Sequence, residues 1–179
     1  NTSYSLNDAY WRKNQYNIWP IESALQGRNV VVIPNWHEEH FDSVMTPLGV
    51  VSYKPVDNYV SYSRVDIKTE RKSYYWKKNA VHLVFSTLTK RSNEKINFEL
   101  NKELPSFLSY QIFKNGIVQK EIITNIKLYN SMIDKPIPIN IETGNLVGNY
   151  ELRISIKTGF FMPTMNSELI QIEISDELF

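Results

Sequence analysis

The sequence predicts a mainly β protein, an antiparallel β-sandwich preceded by a short α/β segment. Three observations carry that expectation. From about Val56 onward, apolar and polar residues alternate with a period of two, and turn-forming residues separate the alternating runs. The first 55 residues break this pattern with a helix-like spacing and then a continuous β-branched run. The chain therefore divides into an N-terminal α/β segment, 1–55, and a sandwich domain, 56–179.

In the N-terminal segment, Ile18, Ile21 and Leu25 recur at spacings of three and four, with Pro20 suited to a first helical turn and Gly27 to the position just past the last one. Asn29-Val30-Val31-Val32-Ile33-Pro34 follows, a run of the kind found in strands covered on both faces. In the sandwich, strands are expected over Tyr59–Lys68, Ala80–Thr89, Ile96–Leu100, Phe107–Phe113 and Ile117–Ile123. Pro136 and Pro138 confine Ile137–Ile141 to an edge, because proline has no N–H to give a ladder. The clearest alternation is Tyr150–Lys157, and Ile170–Ile174 repeats it. Asn115-Gly116 between two strand-like runs is a strong hairpin signal, since a type I′ turn needs positive φ at both central residues. Tyr150, opening a late strand after Gly148-Asn149, is either the tyrosine-corner residue of an immunoglobulin-like sandwich or a plain core tyrosine.

Composition excludes several classes. At 179 residues and 42% hydrophobic content the chain can bury a proper core, and with no cysteine it has no disulfides, thiol nucleophile or cysteine-ligated metal. Twenty basic against nineteen acidic residues leave a formal charge of +1, which is no footprint for nucleic acid. No apolar run approaches the roughly 18 residues of a membrane helix. The sequence opens at Asn1 without an initiator methionine or a signal-like stretch, which suggests a piece of something longer.

Catalytic signals are sparse, and neither a catalytic residue nor a cofactor is assigned. Gly-x-Ser-x-Gly, phosphate-loop and dinucleotide fingerprints are missing, and the adjacent carboxylates Glu38/Glu39 and Asp176/Glu177 would diverge on a strand. His37 and His40 lie three apart rather than the four of a zincin helix; with Asp42 they could hold a metal only on a helix, which Pro34 and Pro47 disfavour. A solvated polar loop is the simpler reading, so no metal is assigned. His82 falls in a strand pattern and should face outward.

Three stretches suit contact. Aromatics crowd the first twenty residues, where Tyr16 and Trp19 either present platforms for a sugar or lock the helix onto the sandwich. Tyr74-Tyr75-Trp76, with Lys77-Lys78 behind, reads as an amphipathic rim. Phe160-Phe161-Met162 lies between two well-patterned strands, where a tip should be polar; it needs the first segment, another chain or a bilayer to cover it, or it folds back over the sandwich.

Arg12-Lys13-Asn14-Gln15-Tyr16-Asn17-Ile18-Trp19-Pro20, running on into Leu25-Gln26-Gly27-Arg28-Asn29-Val30-Val31, resembles a segment that follows the membrane part of certain Bacteroidetes glycosyltransferases. These polytopic enzymes are similar to the protein mannosyltransferase and aminoarabinose transferase group. Gly148-x-Tyr150-x-Leu152, Gly159-Phe160 and Pro163-x-x-Asn166-Ser167 resemble the end of the same soluble tail. The resemblance implies a non-catalytic extracytoplasmic C-terminal domain at the periplasmic face of the inner membrane. Its parent would take sugar from a polyprenyl-phosphate carrier, with the catalytic acid in a membrane-side loop outside this sequence. On that reading Arg12, Asn14, Gln15, Tyr16 and Trp19 lie near the approach of acceptor or lipid-linked sugar. Phe160, Phe161 and Met162 would then meet the membrane portion of the parent chain or its lipid. The alternative is a secreted or surface carbohydrate-binding or adhesive sandwich module.

Overall fold

The computed structural model describes residues 25–33, 41–90 and 96–176. Eleven strands are present among them: β1 (Val30–Val32), β2 (Asp42–Thr46), β3 (Gly49–Val56), β4 (Val65–Thr69), β5 (Ser73–Lys77) and β6 (Val81–Lys90), then β7 (Ser106–Lys114), β8 (Ile117–Lys127), β9 (Pro136–Glu142), β10 (Gly148–Thr158) and β11 (Ile170–Ser175). A 3-10 turn at Asn130–Met132 separates β8 from β9.

The strands form three sheets: β5-β11-β10-β7-β8, β4-β6-β9 and β1-β3-β2. The first two face one another as a β-sandwich, and their inward residues make the main core. Leu108, Tyr110 and Ile112 of β7 and Leu152, Ile154 and Ile156 of β10 meet Val84 and Leu88 of β6 and Ile137, Ile139 and Ile141 of β9. Alternation decides which residues go inside, since period-two side chains share a face. All pairings are antiparallel except β5 with β11, where Gln171 to Ser175 run beside Ser73 to Lys77. Asn115 and Gly116 take φ of 52° and 76°, the two positive values that the β7–β8 turn requires. Pro136 and Pro138 sit on β9, an edge strand, so their missing donors disturb only one ladder.

Sequence expectation and structure part in four places. Ile96–Leu100 is a turn and not a strand: the Asn97 Oδ1 accepts the Glu99 N–H at 3.0 Å, an Asx turn that offers the backbone an alternative to a ladder. Only residues 65–68 of the expected Tyr59–Lys68 strand are extended in a sheet; Tyr59, Val60 and Tyr62 are buried in the connection before it. The Tyr74–Trp76 rim is strand β5, with Trp76 in the core and Tyr75 in water. β1 exists but is not covered on both faces: Val30 and Val32 turn inward, whereas Val31 is 61% exposed. An apolar run can arise from one covered face plus an apolar outer one, which period alone does not distinguish. Of the expected helix, only Leu25 and Gln26 fall within the described residues, and Gly27 follows at φ 73° as a helix-terminating glycine would.

Candidate functional site

The loop after β10 reverses the chain tightly. Gly159 has φ 47°, and a Cβ there would lie 2.5 Å from Leu104 Cδ2, so both conformation and space call for glycine. The two phenylalanines that follow go to intramolecular partners. Phe161 is only 6% exposed and meets Tyr59 edge-on at 5.6 Å. Phe160 meets Phe41 edge-on at 5.3 Å, and the two phenylalanine rings lie 4.4 Å apart. Val56, Tyr59 and Phe161 form a second core, against which Leu25, Val30, Val32, Leu104 and Phe160 pack. Met162 alone of the three stays at the surface.

The N-terminal segment is tied to the same end through its backbone. Gly27 N–H donates to the Tyr59 carbonyl at 2.8 Å, and Tyr59 N–H donates to the Arg28 carbonyl at 2.8 Å. The Gln26 amide donates to the Ser61 carbonyl, and the Asn101 amide donates to the Asp57 carbonyl at 2.6 Å. A shallow recess opens here, bordered by Tyr59, Tyr62, Thr158, Phe161, Met162 and Thr164, with space for about one water molecule. Its walls carry ring faces and hydroxyls, and the Lys157 ammonium donates to the Phe161 carbonyl at its margin. Burial first of all raises the Tyr62 phenol above its ordinary pKa, with a hydrogen bond to Ser106 acting weakly the other way, so Tyr62 stays neutral. The recess therefore suits apolar contact with a hydroxyl at the rim.

The tail segment Pro163–Ser167 braces this end. The Asn166 amide donates to the Tyr62 and Val65 carbonyls at 2.7 and 2.8 Å, and its Oδ1 accepts the Ile156 N–H at 2.8 Å and the Thr164 hydroxyl at 2.6 Å. Ser167 Oγ accepts the Ile154 N–H at 2.9 Å. These side chains substitute for ladder partners where β11 no longer accompanies β10, and they cross to the strand region of the opposite sheet.

Arg12, Asn14, Gln15, Tyr16 and Trp19 lie outside the described residues, as do His37 and His40. Asp42 is the exposed first residue of β2, opposite Tyr53. Among the described residues no group of three or more His, Asp or Glu is placed to hold a metal. His82 is half-buried, stacked on Trp76 at 4.9 Å, with Nε2 donating to the Lys77 carbonyl at 2.9 Å. What sequence reasoning missed is the β2–β3 hairpin, whose aliphatic side chains stand in water. Its signal was present in Thr46-Pro47-Leu48-Gly49, a turn sequence between uncharged β-branched runs.

No protein-family model matches the chain, and no curated protein matches it in sequence.

Proposed function

We propose that this chain is the non-catalytic C-terminal domain of a membrane-bound glycosyltransferase that draws sugar from a polyprenyl-phosphate carrier, and that it helps position the acceptor or steady the enzyme. The observation that carries this reading is the apolar end where residues 25–33 join the sandwich. Val31 and Ile33 stand in water there, a sheet face that an upstream membrane portion would cover. A location at the periplasmic face of the inner membrane follows from the same reading.

The sandwich is read as immunoglobulin-like. The order β11-β10-β7 against β4-β6-β9 agrees with that topology, with β10 in the place of strand F. Tyr150, at the start of β10, donates its hydroxyl to the Val147 carbonyl at 3.2 Å, a bond to upstream backbone that supports reading it as a tyrosine corner. The tail positions that resemble the transferase group, Gly159 and Asn166, are the ones this fold needs at its turn and its brace.

The test is an immunoblot of source-cell fractions with antibody raised against this domain. A band much larger than 21.0 kDa that resists carbonate extraction supports the reading. A small band extracted by carbonate or released into the medium overturns it, leaving a free carbohydrate-binding or adhesive module to be screened against glycans.

A further inference from the structure

The outer face of the five-stranded sheet is dry where a sandwich usually meets water. Leu108, Tyr110 and Ile112 of β7 and Leu152, Ile154 and Ile156 of β10 point into the core, so the residues between them point out. Register sets these outward residues in pairs: Ser155 beside Ser109, Arg153 beside Gln111 and Glu151 beside Phe113. Ser109, Ser155 and Gln111 are nevertheless 0% exposed, and Phe113 only 6%. Phe113 belongs to neither hydrophobic core. The hydroxyls of Ser109 and Ser155 have no hydrogen-bond partner among the described residues. On an open face water would supply one, so water is kept away.

The dry ground is a stripe. On the same face Ile123 of β8 is 51% exposed, and Gln171 and Glu173 of β11 lie in water, as does Asn149 at the start of β10. What is buried is β7 and β10 alone, two strands or about 10 Å across. That is the width of one helix or one extended segment, and too narrow for a second sheet or a flat partner surface. The described strands are occupied elsewhere: β4-β6-β9 covers the inner face, and the third sheet sends Val30 and Val32 to the second core.

We infer that the stripe is the docking site of residues 1–24, which lie outside the described residues. Position and length select them. Leu25 packs on the cluster of Phe161, just past the end of β10 at Thr158. From Thr158 back to Glu151, level with Phe113, is about 24 Å at strand rise. Residues 1–24 could span that even as a helix, at about 36 Å. The other stretches outside the described residues fall short. Residues 34–40 begin after Ile33 and end at Phe41, which touches Phe160, so out and back they reach about 14 Å. Residues 91–95 leave from β6 in the opposite sheet, and 177–179 follow β11 past the level of Gly148, away from the stripe. Composition agrees: Tyr4, Tyr10, Trp11, Tyr16 and Trp19 bring large flat side chains suited to lying on a sheet. The inference stands on the buried stripe and does not require the parent enzyme proposed above.

The chain has no cysteine, so a single introduced thiol reports accessibility cleanly. Ser155→Cys and Asn149→Cys, both on the outer face of β10, are reacted with a maleimide in the 179-residue chain and in a chain of residues 25–179. In the 179-residue chain Ser155→Cys should react roughly tenfold or more slowly than Asn149→Cys, because its thiol must wait for local opening. Removing residues 1–24 should bring the two rates within about threefold, with the β circular-dichroism spectrum kept. A cross-link decides the matter even where the shortened chain does not fold. Phe113→p-benzoylphenylalanine in the 179-residue chain, irradiated and mapped by mass spectrometry, should join to residues 1–24 of the same chain. Three results overturn the inference: equal rates for the two thiols in the 179-residue chain, slow reaction of Ser155→Cys that persists in a folded 25–179 chain, or cross-links confined to other residues or to a second copy.

Discussion

Asn166 uses both of its amide donors and both acceptor positions of its carbonyl, and each bond reaches a buried partner. Few side chains have this donor–acceptor pair at this length. Asn166→Ala removes four hydrogen bonds and leaves the Ile156 N–H without its acceptor, at about 1 kcal/mol per bond. A loss of roughly 3–4 kcal/mol is expected in urea unfolding. Asn166→Asp keeps the acceptor but turns a charge toward two carbonyls, and should lose no less. Asn149→Ala, on the exposed face of β10, should stay within about 0.5 kcal/mol of the native chain. A loss under about 1 kcal/mol in Asn166→Ala would show that the brace is replaceable.

At the scale of elements, the β10–β11 connection and the N-terminal sheet hold each other. Gly159 sets the reversal, Phe161 fills the space beside Tyr59 and Val56, and Val30 and Val32 close over it. Phe161→Ser empties a buried site and puts a hydroxyl there, so a loss of about 3–5 kcal/mol is expected. Met162→Ser should change stability by no more than about 0.5 kcal/mol, because its side chain is at the surface. Thermal melts of the two variants check this. Equal effects would mean that the loop is not a packed element. The same contacts show why an apolar tip does not by itself signal a partner: two of its three large residues are satisfied inside the molecule.

For the whole molecule, the sandwich buries tyrosines that ionise only with difficulty. Burial raises the Tyr62, Tyr74 and Tyr110 phenols above the ordinary value of 10.0. The folded chain then binds more protons than the unfolded chain above that pH, so stability is full below pH 10 and falls as pH rises toward the folded values. Melting temperature measured from pH 8 to 12 should therefore be flat at first and decline past about 10. Tyr62→Phe gives up the hydrogen bond to the Asn97 carbonyl, about 1 kcal/mol at neutral pH, and should make the alkaline decline shallower. An unchanged slope would place the sensitivity on the other two phenols.

The sequence by itself determined the sandwich, its inward residues and its clearest turn. Alternation through Tyr150–Lys157 and Ile170–Ile174 assigns faces because a strand has no other way to present its side chains, and Asn115-Gly116 dictates a hairpin by backbone sterics. These are local constraints. Tertiary structure alone decided what covers each apolar face. Val31 and Val32 are identical in chemistry, yet one faces water and the other Phe161's cluster. Phe161 and Leu48 are both apolar residues in a connection, and one is buried while the other is bare. Ile96–Leu100 reads as a strand until Asn97 finds a turn instead. Burial depends on which distant segments converge, and pattern along the chain carries no record of that convergence.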